Sequence, residues 1–146
     1  MTSVDQKRAE ILDRLADHVL AHGLAASSLR PLAAAAGTSD RMLIYYFKDK
    51  AGLVAAVLQH VALRLAGELE AMAATAPASL EVLRGRLFEI LVSEALWPYM
   101  RLWLEIAAAA ARGDAVCRQV GEAIGRGFLA WGTARLESPS PAERDR

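Results

Sequence analysis

The chain is predicted to be all-α, with a three-helix head joined by a long helix to a C-terminal helical domain. Three observations predict this. Apolar residues recur at helical spacing along almost the whole length, and segments of alternating β-branched residues, which would announce strands, are missing. Three short periodic segments, closely spaced, precede a much longer one.

The first helix is expected from about Asp5 to His22, with Ile11, Leu15, Val19 and Leu20 on one stripe and Gly23 as its stop. Ser27 or Ser28 can cap the second, which ends at Gly37; Pro31 falls in its first turn, where a missing N–H costs little. Thr38 or Ser39 caps a third helix running to about Phe47. The fourth begins near Asp49 and carries Leu53, Val57, Val61, Leu65, Leu69 and Met72 along one face until Pro77, a length on the order of 40 Å. Beyond it, helices are expected from Ser79 to about Leu96, from Pro98 to about Ala111, and from Asp114 to about Leu136. The boundary is drawn at Lys50, giving a head of residues 1–50 and a second unit of residues 51–146. Ser140, Pro141 and Glu143 have the pattern of an N-cap, a first-turn proline and an N3 acid. A helix therefore opens as the sequence stops, which reads as a truncated form of a longer protein; a disordered polar tail is the alternative.

With 54% apolar and 23% charged residues, the composition belongs to a globular chain with a real core. Seventeen basic side chains balance seventeen acidic ones, so any nucleic-acid partner has to be argued locally. No leader-type apolar segment opens the chain, and no stretch reaches roughly 18 uninterrupted apolar residues, which reads as a cytosolic protein with no membrane partner. Cys117 is the only cysteine, which rules out an intrachain disulfide and a cysteine-based zinc cluster and reads as a buried thiol. His18 and His22 have the i, i+4 spacing of a metal pair but lack an evident third ligand, so no metal or other cofactor is expected. No Ser/His/Asp spacing, phosphate-cradling glycine loop or paired catalytic carboxylate stands out, and an enzyme is not expected.

The stretch LAAAAGTSDRMLIYYFKDK, residues 32–50, concentrates the chemistry. Its small side chains let one helix cross another closely, and Gly37 supplies the left-handed backbone that ends the first and reverses the chain. Leu43 and Phe47 then return to a core shared with Leu29, Leu32 and Ala36, the pattern of a helix-turn-helix. Once those two point inward, Asp40, Arg41, Ile44 and Tyr45 face elsewhere, beside the amide end of the helix at Thr38 and Ser39. That face suits the major groove of DNA. Arg41 can fork onto guanine O6 and N7, and Met42 can touch a thymine methyl. Tyr45, Tyr46, Lys48, Lys50 and the helix start at Ser28 can reach phosphates. From Ser28 to Lys50, Arg30, Arg41, Lys48 and Lys50 outnumber Asp40 and Asp49 by two, an excess small enough that specificity would lean on pairing two heads.

SLRPLAAAAGTSDRMLIYYFKDKAGL, residues 28–53, resembles the DNA-binding head of the tetracycline-repressor-like (TetR) transcriptional regulators. Ser28, Leu32-Ala33, Ala36-Gly37, Ser39, Leu43, Tyr46-Phe47, Lys50 and Leu53 match the family's pattern, whereas Thr38 replaces a usual valine and Ile44 stands where a phosphate-contacting tyrosine is common. The resemblance implies a homodimer whose third helices enter successive major grooves of a palindromic operator. It also implies a C-terminal domain that binds a small-molecule effector and releases the DNA. In the family two further helices after the seventh close the dimer, and these are missing from this sequence.

In the second half the aromatics gather. Phe88, Trp97, Trp103, Phe128 and Trp131, with Tyr99, Leu91, Met100, Leu104 and Ile124, stand at helical spacings that would line an apolar cavity or form solid core. Glu94 and Glu105 lie near these stripes, as a solvated helix face or as partners for a cationic or hydroxylated ligand. The sequence thus points to a ligand-responsive repressor, with a small-molecule binding or sequestering protein as the alternative.

Overall fold

The computed structural model describes residues 2–72 and 77–136. The predicted helix start at Ser140 lies outside the described residues. Seven helices follow one another: α1 (Ser3–His22), α2 (Leu29–Ala36), α3 (Asp40–Phe47), α4 (Lys50–Met72), α5 (Leu80–Leu91), α6 (Trp97–Ala111) and α7 (Ala115–Thr133). Among the described residues there is no strand, only an isolated bridge between Ala78 and Leu136.

Most of the helices begin where a short polar side chain can satisfy a free amide, whereas α6 has Leu96 at its N-cap and no such bond. Thr2 and Asp5 form a reciprocal capping box at α1. Ser39, Ser79 and Asp114 accept from the backbone N–H groups of Met42, Val82 and Cys117. Ser28 occupies the N-cap of α2 without a side-chain capping bond, while Ser27 Oγ donates to Gly23 O at 2.7 Å. Gly23 and Gly37 end α1 and α2 at φ +79° and +66°, conformations that a side chain would strain.

The long helix spans 23 described residues, Lys50–Met72, about 34 Å, and the rest of its expected run to Pro77 lies outside the described residues. The helix expected from Ser79 to Leu96 stops at Leu91, and turns centred on Ser93 carry the chain to α6, which opens with Pro98 in its first turn. There the missing N–H of Pro98 costs little.

α4 is the axis of the molecule, packing against α1, α3 and α7, while α6 lies against both α7 and α1. One apolar core runs without a break from Leu15, Leu32 and Leu43 in the head through Leu53, Val57 and Leu58 of α4 to Leu102 and Ile106 of α6 and Val120 of α7. By length and composition α4 would span a bilayer, but Leu53, Val57, Leu58 and Val61 are buried in this core. Cys117 joins the core as a buried thiol, its pKa raised by that burial and by the Asp114 carboxylate. The His18 and His22 rings lie tilted to each other with centroids 4.7 Å apart, and no group of three metal-ligating side chains occurs among the described residues.

A polar ladder fastens α1 along α4. His60 Nε2 lies 2.7 Å from Asp13 Oδ1, and Arg64 donates to Asp13 Oδ1 at 3.0 Å and to Asp17 Oδ1 at 2.6 Å. The bond to His60, followed by that to Arg64, lowers the pKa of Asp13. A carboxyl with a folded pKa below its unfolded value of about 3.9 adds stability in full above that value and loses it as pH falls through the folded one. Asp13 is mostly exposed, so solvent screening keeps the effect of Asp13→Asn to about 0.2–1 kcal/mol at pH 7. Urea titrations at pH 7 and pH 3 should show the difference between parent and variant shrinking at the lower pH.

Candidate nucleic-acid interface and apolar cavity

The head presents α3 by holding it from behind. Leu43 is completely buried and Phe47 nearly so, against Leu32, Ala33 and Ala36 of α2 and Leu53 of α4. Two arginines of α1 complete the seat: Arg14 donates to the last carbonyl of α2, Ala36 O, at 3.2 Å, and Arg8 stacks 4.8 Å from the Phe47 ring centroid.

The opposite face is open. Ser28, Arg30, Ser39, Arg41, Met42, Tyr45, Lys48 and Lys50 are exposed, while Thr38, Asp40 and Tyr46 are half-buried. Tyr45 is 70% exposed and meets the edge of the Tyr46 ring at 5.3 Å, so the pair forms an aromatic ridge beside Arg41. Among the described residues none of the four cations of this face is held in an ion pair.

One feature of this face has no sequence signal. Lys48 adopts φ +75° and ψ −54°, and Asp49 N–H donates back to Phe47 O at 3.0 Å, closing a γ-turn between α3 and α4. A lysine in this region stores roughly 1–3 kcal/mol of strain. The turn throws the Lys48 side chain outward at the C-terminal edge of α3.

In the second half, α4, α5, α6 and α7 line a partly open cavity of about 220 Å³. Of the residues predicted to meet a ligand, Leu91, Met100, Trp103 and Phe128 line it, with Tyr99 and Ile124 beside them. Trp131 instead faces an outer groove between α4 and α7, where Arg135 stacks over its ring at 4.1 Å and pairs with Glu70 at 2.6 Å. Phe88, Glu94, Trp97 and Leu104 are exposed and form no part of the cavity wall. Phe88 lies on a face of α5 turned away from buried Leu83, and the helix break after Leu91 takes Glu94 and Trp97 out of the register that a continuous helix would have kept. Leu104 lies on the α6 face opposite Leu102 and Ile106. The other side of the cavity comes from Leu58, Val61, Ala62 and Leu65 of α4, whose periodicity could not be told from ordinary core.

Glu105 does neither of the things its sequence position suggested. Its Oε2 accepts from Leu24 N–H at 2.7 Å, just past the end of α1, and a Cβ on Gly23 would collide with this carboxylate. One turn earlier on α6, Arg101 donates to Leu20 O and Ala21 O at 2.6 and 3.0 Å. The two side chains thus grip the C-terminal end of α1, a cation on its carbonyls and an anion on the next free amide.

Residues 11–57 match the family profile of the bacterial regulatory proteins of the tetR family. No curated protein matches the chain. Among solved structures, a protein from Rhodococcus sp. described as a TetR-family transcriptional regulator is 25% identical, with a TM-score of 0.65 over 86% of this chain. The alignment covers 66% of that protein, so this chain spans just under two thirds of its length. The two findings agree: the head, residues 11–57, is similar to the tetR-family DNA-binding head, and the chain as a whole shares its fold with a TetR-family transcriptional regulator.

Proposed function

We propose that the protein binds a palindromic DNA operator as a homodimer, represses transcription in the cytoplasm, and leaves the operator when a small molecule enters its C-terminal half. The observation that carries the reading is the two-sided character of α3, with Leu43 and Phe47 buried while Arg41, Met42, Tyr45 and Lys48 stand free on the other side. In this arrangement Arg41 reads guanine and Met42 a thymine methyl. Ser28, Arg30, Tyr45, Tyr46, Lys48 and Lys50 hold phosphates, and Thr38, Ser39 and Asp40 border the groove at the helix start. Residues 1–50 act as the reading head and residues 51–146 as the sensing unit. Two heads set about one helical turn apart, ~34–36 Å, would engage successive major grooves.

The test compares two alanine variants on a site selected from random DNA. Arg41→Ala should weaken the selected site by about 1–3 kcal/mol while leaving non-specific DNA nearly untouched, whereas Lys50→Ala should weaken all sequences alike and flatten the salt slope by about one. Equal losses on every sequence from both changes would contradict these roles.

A further inference from the structure

The cavity between α4, α5, α6 and α7 is one-sided in its chemistry. None of its fourteen lining residues carries a charge or a side-chain amide, and Tyr99, Met100 and Trp103 bring the only side-chain heteroatoms. Burial and the Glu68 carboxylate raise the Tyr99 pKa, so its phenol stays neutral at physiological pH. Of the charged groups near this wall, Glu105 is bonded to Leu24 N–H, Glu94 is in solvent, and Glu68, Arg64 and Asp17 act on Tyr99 without lining the cavity. An ion entering such a space would lose its hydration with no charged lining residue to pair with, a large penalty.

Size narrows the choice further. An apolar cavity of about 150 Å³ stays dry and takes a benzene ring; this one holds about 220 Å³. Its sheltered space therefore matches one substituted ring or two fused rings, and the rings of a larger skeleton would extend into solvent. Part of the space is left by Gly125, where an added Cβ would meet no atom within 4 Å.

We infer that this cavity binds an uncharged, largely apolar molecule of one or two rings. The inference rests on the proposal that residues 51–146 sense a small molecule, and it specifies the class of that molecule.

Calorimetric titration of the full chain with acetylnaphthalene, naphthoate, naphthylmethylammonium and pyrene tests it. Acetylnaphthalene should bind once per chain, at least about 100-fold more tightly than either ion and more tightly than pyrene. Gly125→Leu, which fills the open space from α7, should abolish that binding with helical circular dichroism unchanged; Ala62→Leu does the same from α4 should the first variant fold poorly. Binding of an ion as tight as that of the neutral probe, tighter binding of pyrene, no binding of any probe, or undiminished binding in both filled variants would overturn the inference. Release of DNA is measured separately. A neutral probe that binds the cavity but leaves the operator complex intact would refute the effector role and leave the ligand class standing.

Discussion

Leu43→Ala is expected to destabilise the head by about 2–5 kcal/mol, the range for removing a large aliphatic side chain from a packed interior. The upper half of that range is favoured by the surroundings. Leu43 is completely buried, and its core neighbours, among them Leu15 of α1, Leu32 of α2 and Leu53 of α4, come from three other helices that the rest of the core fixes in place. Such a site collapses poorly around a void. Urea denaturation should show the loss directly, and DNA binding should fall on specific and non-specific sequences together, because α3 loses its seat and not one of its contacts. Tyr45→Ala provides the contrast on the same helix: with Tyr45 70% exposed, stability should stay within about 0.5 kcal/mol of the parent. If Leu43→Ala kept the parent's stability, α3 would have to be seated by something other than this residue.

How far the sequence could be read follows from the same distinction between local and distant causes. Gly37, Ser39, Leu43 and Phe47 act over a few residues, so their spacing was enough to place the turn, the cap and the buried side of α3. The γ-turn at Lys48 is also local, yet nothing in a Phe-Lys-Asp sequence forces a positive φ; it comes from the demand that α4 start close behind α3. The cavity was legible by halves. Aromatic and methionine residues on α6 and α7 announced one wall, but the α4 wall is written in the same leucines and valines as any buried stripe. The break in α5 escaped because apolar spacing continues through residues 92–96, where the chain instead turns about Ser93. Glu105 was misread for a different reason. Its partner, Leu24, lies 81 residues away, and no pattern within one helix reports such a contact.

The pairing of Arg101 and Glu105 with the end of α1 gives the second large expectation. α6 carries two surfaces: Met100, Trp103 and Ile106 face the cavity, while Arg101 and Glu105, one turn apart, hold the last carbonyls and the next amide of α1. A hydrogen bond to a charged group contributes about 1.5–3 kcal/mol, and the exposure of Arg101 reduces its share. The double variant Arg101→Ala, Glu105→Gln is therefore expected to lose about 2–3 kcal/mol in urea denaturation. The two single changes should fall short of additivity, since both act on one helix end. The functional consequence separates a connector from a mere brace. A helix that transmits occupancy of the cavity must move α1 with it, and with the grip removed a bound probe has less differential contact through which to bias the head. In the double variant, acetylnaphthalene should bind within threefold, about 0.7 kcal/mol, of the parent, while any weakening of DNA affinity by the probe shrinks by at least about tenfold. A variant that lost stability but responded to the probe as strongly as the parent would leave Arg101 and Glu105 as fasteners only, and the signal would have to pass along the apolar contact between α4 and α7.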